Sequence, residues 1–356
     1  MPIKSLRLSN FRCFKYVECI FGDGPLLFYG RNGSGKTSLL ESIYLAAFGK
    51  SFRTTKTTSL IGQYGDFFEV SVGLSSPPTE IVVKKDKNGK IVFLINNKKT
   101  HAKSLLEHLK VNLLDSRMFF YTSSSPDFRR KNLDRSLFLV SPNYRSAWFD
   151  FYKALRQRNA GLKNNNPTEA ASWNEPLNSF GSVLNEYRAR FIQEAEQTLV
   201  DLVKKSPNDE FLASLKNLKI KYIPGFKGNS LLESLDNAMA SDLLKRTTSE
   251  GPHRADVDLT LKDAPVKDLF SRGEEKILSI LWGLAISETL NKYYDIHPIT
   301  ILDDISSEVD KMHVISLIEV ISKTKNQFIF SNISDPFNSK IRSLNNLKKF
   351  HVEQFQ

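Results

Sequence analysis

Apolar and polar positions along the chain switch between two periods. Leu6 and Leu8, then Leu26-Leu27-Phe28-Tyr29, form short apolar runs bounded by Asn10 and by Gly22-Asp23-Gly24-Pro25, so residues 3–29 are predicted to be strands. After the Gly30–Ser38 segment, Leu39, Leu40, Ile43, Tyr44 and Ala47 recur at helical spacing, and Gly49 marks the helix end. Residues 66–100 return to strands. There Ile81-Val82-Val83 and Ile91-Val92-Phe93-Leu94-Ile95 flank Asn88-Gly89, a pair that accepts positive φ and predicts a hairpin turn. A further strand is expected around Met118-Phe119-Phe120.

Residues 144–246 read differently. Tyr144, Trp148, Phe151, Leu155 and Leu162 make one helical stripe, and Trp173, Leu177, Phe180, Leu184, Tyr187, Phe191, Leu199 and Leu202 make a longer one. The polar loop Lys163-Asn164-Asn165-Asn166-Pro167 separates them, which predicts an antiparallel helical hairpin followed by smaller helical pieces. About thirty helical residues span about 45 Å, enough for a stubby arm. From Asp256 the strand and helix pattern resumes. The expected layout is an α/β body in two halves, 1–143 and 247–356, interrupted by a helical insertion over 144–246.

Composition narrows the class. Of 356 residues 40% are hydrophobic and 25% charged, which suits a globular chain and excludes a disordered, collagenous or disulfide-stapled one. The length suggests more than one compact unit. Cys13 and Cys19 stand without a metal-spaced cluster, so a reducing compartment is expected. The amino terminus lacks a leader pattern, and the longest apolar run, Ile277 to Ile286, is too short to span a bilayer; a cytoplasmic location with no membrane partner is expected. Lysine and arginine number 50 against 39 acids, a net charge of +11. This surplus would attract a polyanion at long range, and it equally suits a generally basic soluble protein.

The chemistry sits in three segments. Gly30-Arg31-Asn32-Gly33-Ser34-Gly35-Lys36-Thr37 fits the phosphate-binding P-loop at every defined position, between an apolar strand and an apolar-periodic helix. Its backbone amides would close around phosphates, Lys36 would reach the β- and γ-phosphates of ATP, and Thr37 would offer a hydroxyl to Mg²⁺. Ile299-Thr300-Ile301-Leu302-Asp303-Asp304 is an apolar strand ending in paired carboxylates; Asp303 would hold Mg²⁺ and Asp304 would orient or activate the attacking water. Between them, Ser271-Arg272-Gly273-Glu274-Glu275-Lys276 precedes an apolar helix. A Ser-x-Gly there offers an anion amides and a hydroxyl, and it is also an ordinary N-cap with acidic first-turn residues. Its place between P-loop and paired aspartates favours the anion role.

This order resembles ABC-type ATPases. More narrowly it is similar to the RecF family of bacterial recombination and replication-repair ATPases, which are related to SMC-type heads. The resemblance rests on Leu8-Ser9-Asn10-Phe11-Arg12, the P-loop with Leu39-Leu40-Glu41-Ser42-Ile43-Tyr44, and Ser51-Phe52-Arg53-Thr54. It continues through Ser125-Pro126 with Arg129-Arg130, Leu133-Asp134, Leu155-Arg156-Gln157-Arg158-Asn159 and Gly251-Pro252-His253-Arg254. It implies an ABC-type P-loop ATPase head with a β-rich lobe and a helical arm insertion, forming a homodimer around ATP. Ser271, Arg272, Gly273 and Glu274 would act as the signature across that dimer, and Ser307-Glu308-Val309-Asp310 as a D-loop. Slow hydrolysis, binding to duplex DNA and single-strand/duplex junctions, and RecA loading with RecR and RecO-like mediators are implied as well. The chain departs from the family in an abbreviated Tyr121–Ser125 loop, in lacking a switch histidine after Gln327-Phe328-Ile329-Phe330, and in Arg272, where transporters carry Gly.

For DNA, Lys84, Lys85, Lys87, Lys90, Lys98, Lys99 and Lys103 crowd the Asn88-Gly89 hairpin, either as phosphate trackers or as guards of an edge strand. Arg129, Arg130, Lys131 and Arg135 form a second basic cluster, followed by Arg145, Arg156 and Arg158. Arg53 suits a phosphate-proximal or a plain surface role, and His253 reads as structural. The competing assignments are a transporter subunit, an SMC-like structural head and an OLD-like ATPase with a nuclease. The first conflicts with 235 positions between Lys36 and Ser271, the second with the short insertion, and the third with the lack of an acidic cluster after the paired aspartates.

Overall fold

Short apolar runs build a five-stranded sheet in the order Lys348–His351, Leu26–Tyr29, Phe328–Asn332, Ile299–Leu302, Val111–Leu114, with every neighbouring pair parallel. The computed structural model describes residues 2–22, 24–115, 118–205, 209–304, 309–324, 326–333, 344 and 346–355. Parallel strands carry side chains into packed layers on both faces, which is why Ile299–Leu302 is wholly buried and apolar but for Thr300. Because the strands run the same way, the residues that leave them gather on one edge. Gly30, Asp303, Asp115 and Val352 follow their strands there, and that edge is where α/β sheets bind ligands.

A second, six-stranded antiparallel sheet runs in the order Phe14–Ile20, Ile3–Phe11, Phe67–Ser75, Pro78–Asp86, Ile91–Ile95, Lys98–Thr100. It is the β-rich lobe, and Gly89 at φ 88 closes the expected hairpin. The helix Lys36–Phe48 lies against strands of both sheets, so it is buried almost all round and lacks a one-sided stripe. Gly49 ends it in the left-handed conformation, donating to the Leu45 carbonyl at 2.8 Å. The long helix Arg272–Tyr294 is equally buried, and a Cβ on Gly283 would stand 2.1 Å from Leu114 Cδ2; only glycine permits that approach to the edge strand.

These elements belong to one compact unit, made of Met1–Phe120, Leu202–Glu210 and Ser271–Gln356, while Tyr121–Asp201 and Phe211–Phe270 form another. The expected insertion of 144–246 is therefore too narrow. The second unit begins earlier, includes the helix Pro126–Val140, and contains a three-stranded antiparallel sheet of Ala264–Pro265, Asp256–Leu261 and Lys219–Ile223. Lys219-Ile220-Lys221-Tyr222 carries a period-two alternation, short enough to be lost among helical pieces. The helices Pro142–Lys163 and Asn174–Val203 do run antiparallel: Ser141 Oγ lies 3.1 Å from Tyr187 Oη, and at the other end Arg158 reaches Asn174. The strand expected around Met118-Phe119-Phe120 is corrected to a 3₁₀ turn, with the sheet strand upstream at Val111–Leu114. Three apolar residues have no readable period.

The core of the second unit is held by buried ion pairs. Arg158 is fully buried and donates to Asp242 Oδ2 at 2.7 Å, Thr248 Oγ1 at 2.9 Å, Asn174 Oδ1 at 2.8 Å and the Leu235 carbonyl at 3.2 Å. Replacing Arg158 with alanine leaves the buried Asp242 carboxylate without its counter-charge and should cost about 3–5 kcal/mol. Urea unfolding followed by circular dichroism reads this directly; an unchanged midpoint would contradict it.

Candidate nucleotide site

The P-loop leaves the strand Leu26–Tyr29 with Gly30 at φ +150, Gly33 at φ +83 and Gly35 at φ +100. A Cβ on Gly35 would come within 2.4 Å of the Phe14 ring and 2.8 Å of Cys13 Sγ, so the loop needs glycine there for space as well as for torsion. Gly35 caps the helix Lys36–Phe48 with no side chain, and the first turn holds no acid, which leaves the positive helix end turned toward the loop. Lys36 is buried, and its Nζ donates to the carbonyls of Gly30 at 2.8 Å and Arg31 at 2.9 Å. Burial lowers its proton affinity, while Asp304, Asp303 and Glu353 oppose that shift.

Asp303 meets this loop where the sequence places it. Its Oδ1 accepts from Thr37 Oγ1 at 3.3 Å and from Ser331 Oγ at 2.5 Å, and burial pushes its carboxyl up against those two hydrogen bonds. A hydroxyl and a buried carboxylate at this separation are hard oxygen donors, and they fit a Mg²⁺ ion, which would hold Asp303 ionised. Asp304 adopts φ +60; its N–H donates to Ser331 Oγ at 3.0 Å and its carbonyl accepts from Lys276 Nζ at 3.0 Å. Thus the strand end that lacks a histidine instead supplies the Ser331 hydroxyl to both aspartates.

Arg12 and Arg53, with Cys13, Asn32, Gly33, Gly35, Lys36, Thr37, Ser38, Ser59, Ile61, Asp303, Asp304, Ser331 and Ile333, line a cavity of about 590 Å³. Its two arginines are organised by Glu41, which is 0% exposed. Arg12 grips that carboxylate with Nε and Nη2, both at 2.8 Å, Ser51 Oγ donates to it at 2.5 Å, and Arg53 Nη1 lies 3.5 Å away. The buried acid holds two cations at the cavity wall, Arg53 with 44% of its side chain exposed. The sequence motifs contained Arg12 and Glu41, but nothing in their spacing marks the pairing. Ile333 carries no sequence signal of a site role.

Ser271 caps the helix Arg272–Tyr294 in a full capping box, with its N–H donating to Glu274 Oε2 at 2.8 Å and Glu274 N–H donating to Ser271 Oγ at 3.4 Å. Ser271 and Arg272 are exposed, and none of Ser271, Arg272, Gly273 and Glu274 lines the cavity. Lys276, one turn on, reaches the Asp304 carbonyl. Asp310 starts the helix Lys311–Ser322 and lies outside the cavity lining; Ser307 and Glu308 fall outside the described residues.

Both basic clusters considered for DNA meet partners within the fold. Arg129 is buried and holds Asp256 through Nε at 2.7 Å and Nη2 at 2.8 Å, and Arg130 donates to the Ala255 carbonyl at 2.6 Å. Both tie the helix Pro126–Val140 to the strand Asp256–Leu261 and leave little charge for a polyanion. Arg158 is a core residue. In the hairpin, Lys84 pairs with Glu69 at 2.5 Å, Lys87 with Asp66 at 2.6 Å, and Lys85 is buried with Nζ 3.3 Å from the Gly89 carbonyl. Strand pairing brings in acids that a linear reading keeps apart. His253 Nε2 lies 3.0 Å from the Thr248 carbonyl, and burial lowers its pKa to about 4.

The sequence pattern of the RecF/RecN/SMC N terminal domain family matches residues 2–354. A protein of Shewanella loihica named DNA replication and repair protein RecF is 29% identical over 361 residues, covering 99% of this chain and 98% of its own length. Its namesake in Francisella tularensis is 30% identical over 334 residues, covering 92% and 93%. A solved structure of the recombination mediator protein RecF with ATP, in the RecFOR pathway, superposes with TM-score 0.80 at 22% identity and covers 99% of this chain and 96% of that one. An SMC head bound to the C-terminal winged-helix domain of ScpA gives TM-score 0.59 at 15% identity, over 98% and 94%. Those two likenesses bear on the fold, which is that of an ABC-type ATPase head.

Proposed function

Because the chain belongs to the RecF/RecN/SMC N-terminal domain family, we propose that it is an ATP-driven, DNA-binding repair protein whose heads close in pairs around ATP. One observation carries the reading: Lys36, Thr37, Asp303 and Asp304 share a cavity, while the Ser271–Glu274 helix start lies outside its lining, with Ser271 and Arg272 exposed. A single chain then supplies the P-loop, a Mg²⁺ position at Thr37 and Asp303, and Asp304 beside the attacking water. The γ-phosphate receives its remaining donors only from Ser271 and Gly273 of a second copy. Charge stabilisation of the transition state is incomplete until two chains meet, so hydrolysis is slow.

Nearly full-length relatives bearing the repair name, together with the +11 surplus, support DNA as the polyanion. Gapped or junction DNA is the proposed substrate, RecR and RecO-like mediators the proposed partners, and assistance to RecA loading the proposed outcome. The test is fluorescence anisotropy of a labelled gapped duplex with and without ATP. Binding should tighten about tenfold or more with ATP, since closure of two heads doubles the phosphate contacts. Equal affinity in both conditions would contradict the proposal.

A further inference from the structure

The chain's last turn reaches back to the nucleotide site. The edge strand Lys348–His351 pairs in parallel with the P-loop strand, so His351 lies opposite Tyr29 and their rings stack at 5.1 Å. Val352 is fully buried, and Phe350 and Phe355 pack against the same core. The backbone on both sides of Glu353 is therefore anchored, and its carboxylate is delivered to one place. Oε1 accepts from the Arg31 N–H at 3.0 Å, while Oε2 lies 3.7 Å from His351 Nε2.

The Arg31 N–H and the Gly30 carbonyl belong to one peptide unit. In a trans peptide these two groups lie in one plane and point in opposite directions. On one side stands Glu353; on the other, the Gly30 carbonyl accepts from Lys36 Nζ at 2.8 Å. With no side chain on Gly30 at φ +150, steric contact does little to fix the rotation of that plane, and the hydrogen bonds on its two sides do so instead. Lys36 has three donors, of which the Gly30 and Arg31 carbonyls take two, so the direction of the third follows from where those carbonyls point.

We infer that Glu353 is a positioning residue of the nucleotide site, acting through the Gly30–Arg31 peptide to aim Lys36 at the terminal phosphates of a nucleoside triphosphate. The inference rests on the ATP-binding reading above. An ionised carboxylate on the N–H also polarises the peptide and strengthens the carbonyl that Lys36 uses. Glu353 is suited to this, because the Arg31 N–H, with His351, Arg31 and Lys36 nearby, lowers its pKa and keeps it charged. The C-terminal strand and turn thereby become part of the P-loop's geometry, although 322 positions separate Arg31 from Glu353.

The experiment compares Glu353→Ala and Glu353→Gln with wild type by fluorescence titration of ATP, alongside melting curves without nucleotide. Alanine removes the acceptor and should weaken ATP about fivefold, the net scale of one hydrogen bond. Glutamine retains an acceptor oxygen and should stay within about twofold of wild type. Nucleotide-free melting should be alike in all three, since the side chain is partly exposed and its neighbours carry the anchoring. Wild-type affinity in the alanine variant would overturn the inference, as would equal weakening in both variants with a matched fall in melting temperature. Failure of the wild type itself to bind ATP would overturn the nucleotide-site reading, and this inference with it.

Discussion

Replacing Lys36 with alanine should weaken ATP binding by about 100-fold, the largest loss of affinity expected in this chain. The ammonium would make charge-assisted hydrogen bonds to phosphate, each stronger than a neutral one, and Arg31, the other cation of the loop, does not line the cavity. Arg12 and Arg53 are held at the cavity wall by Glu41 and are not free to swing inward. The loss should fall on affinity rather than on folding. The loss of two hydrogen bonds to the Gly30 and Arg31 carbonyls is offset by relief of the desolvation of a buried ammonium. Calorimetric titration with a parallel melting curve separates the two; affinity within about threefold of wild type would contradict the role.

Asp304→Asn should leave ATP bound and slow its hydrolysis by about 100-fold or more, the range of a lost general base. The substitution is unusually clean at this position. Asp304 sits at φ +60, a conformation asparagine also tolerates, and its backbone is pinned by Ser331 Oγ on one side and Lys276 Nζ on the other. Both contacts are made by the backbone and survive the substitution, which takes away the charge and basicity of the side chain. Single-turnover phosphate release, compared with equilibrium binding, gives the answer. Hydrolysis at the wild-type rate, or a parallel collapse of affinity, would exclude Asp304 as the group that activates water.

What could be read before the fold was known follows from how local each feature is. The P-loop is one contiguous run whose glycines, lysine and threonine each have a fixed duty, and the Asp303-Asp304 pair ends a strand apolar enough to be recognised as buried. The partners that tune them are not local. Ser331 reaches Asp303 only because two parallel strands lie side by side, and Glu353 reaches Arg31 only because the last strand joins the sheet next to the P-loop strand. The lysine hairpin shows the same limit from the other side. Seven lysines near one turn look like an uncompensated field, yet antiparallel pairing places Glu69 opposite Lys84, and Asp66 meets Lys87. Arg129 and Arg158 likewise meet carboxylates 127 and 84 residues away.

The central claim, that two copies close around ATP, is most directly tested by sedimentation of the Asp304→Asn chain, in which bound ATP persists. With ATP and Mg²⁺ the account predicts a species of two 40.5-kDa chains, reverting to one without nucleotide and staying at one when Lys36→Ala is added. A single 40.5-kDa species at saturating ATP would contradict it.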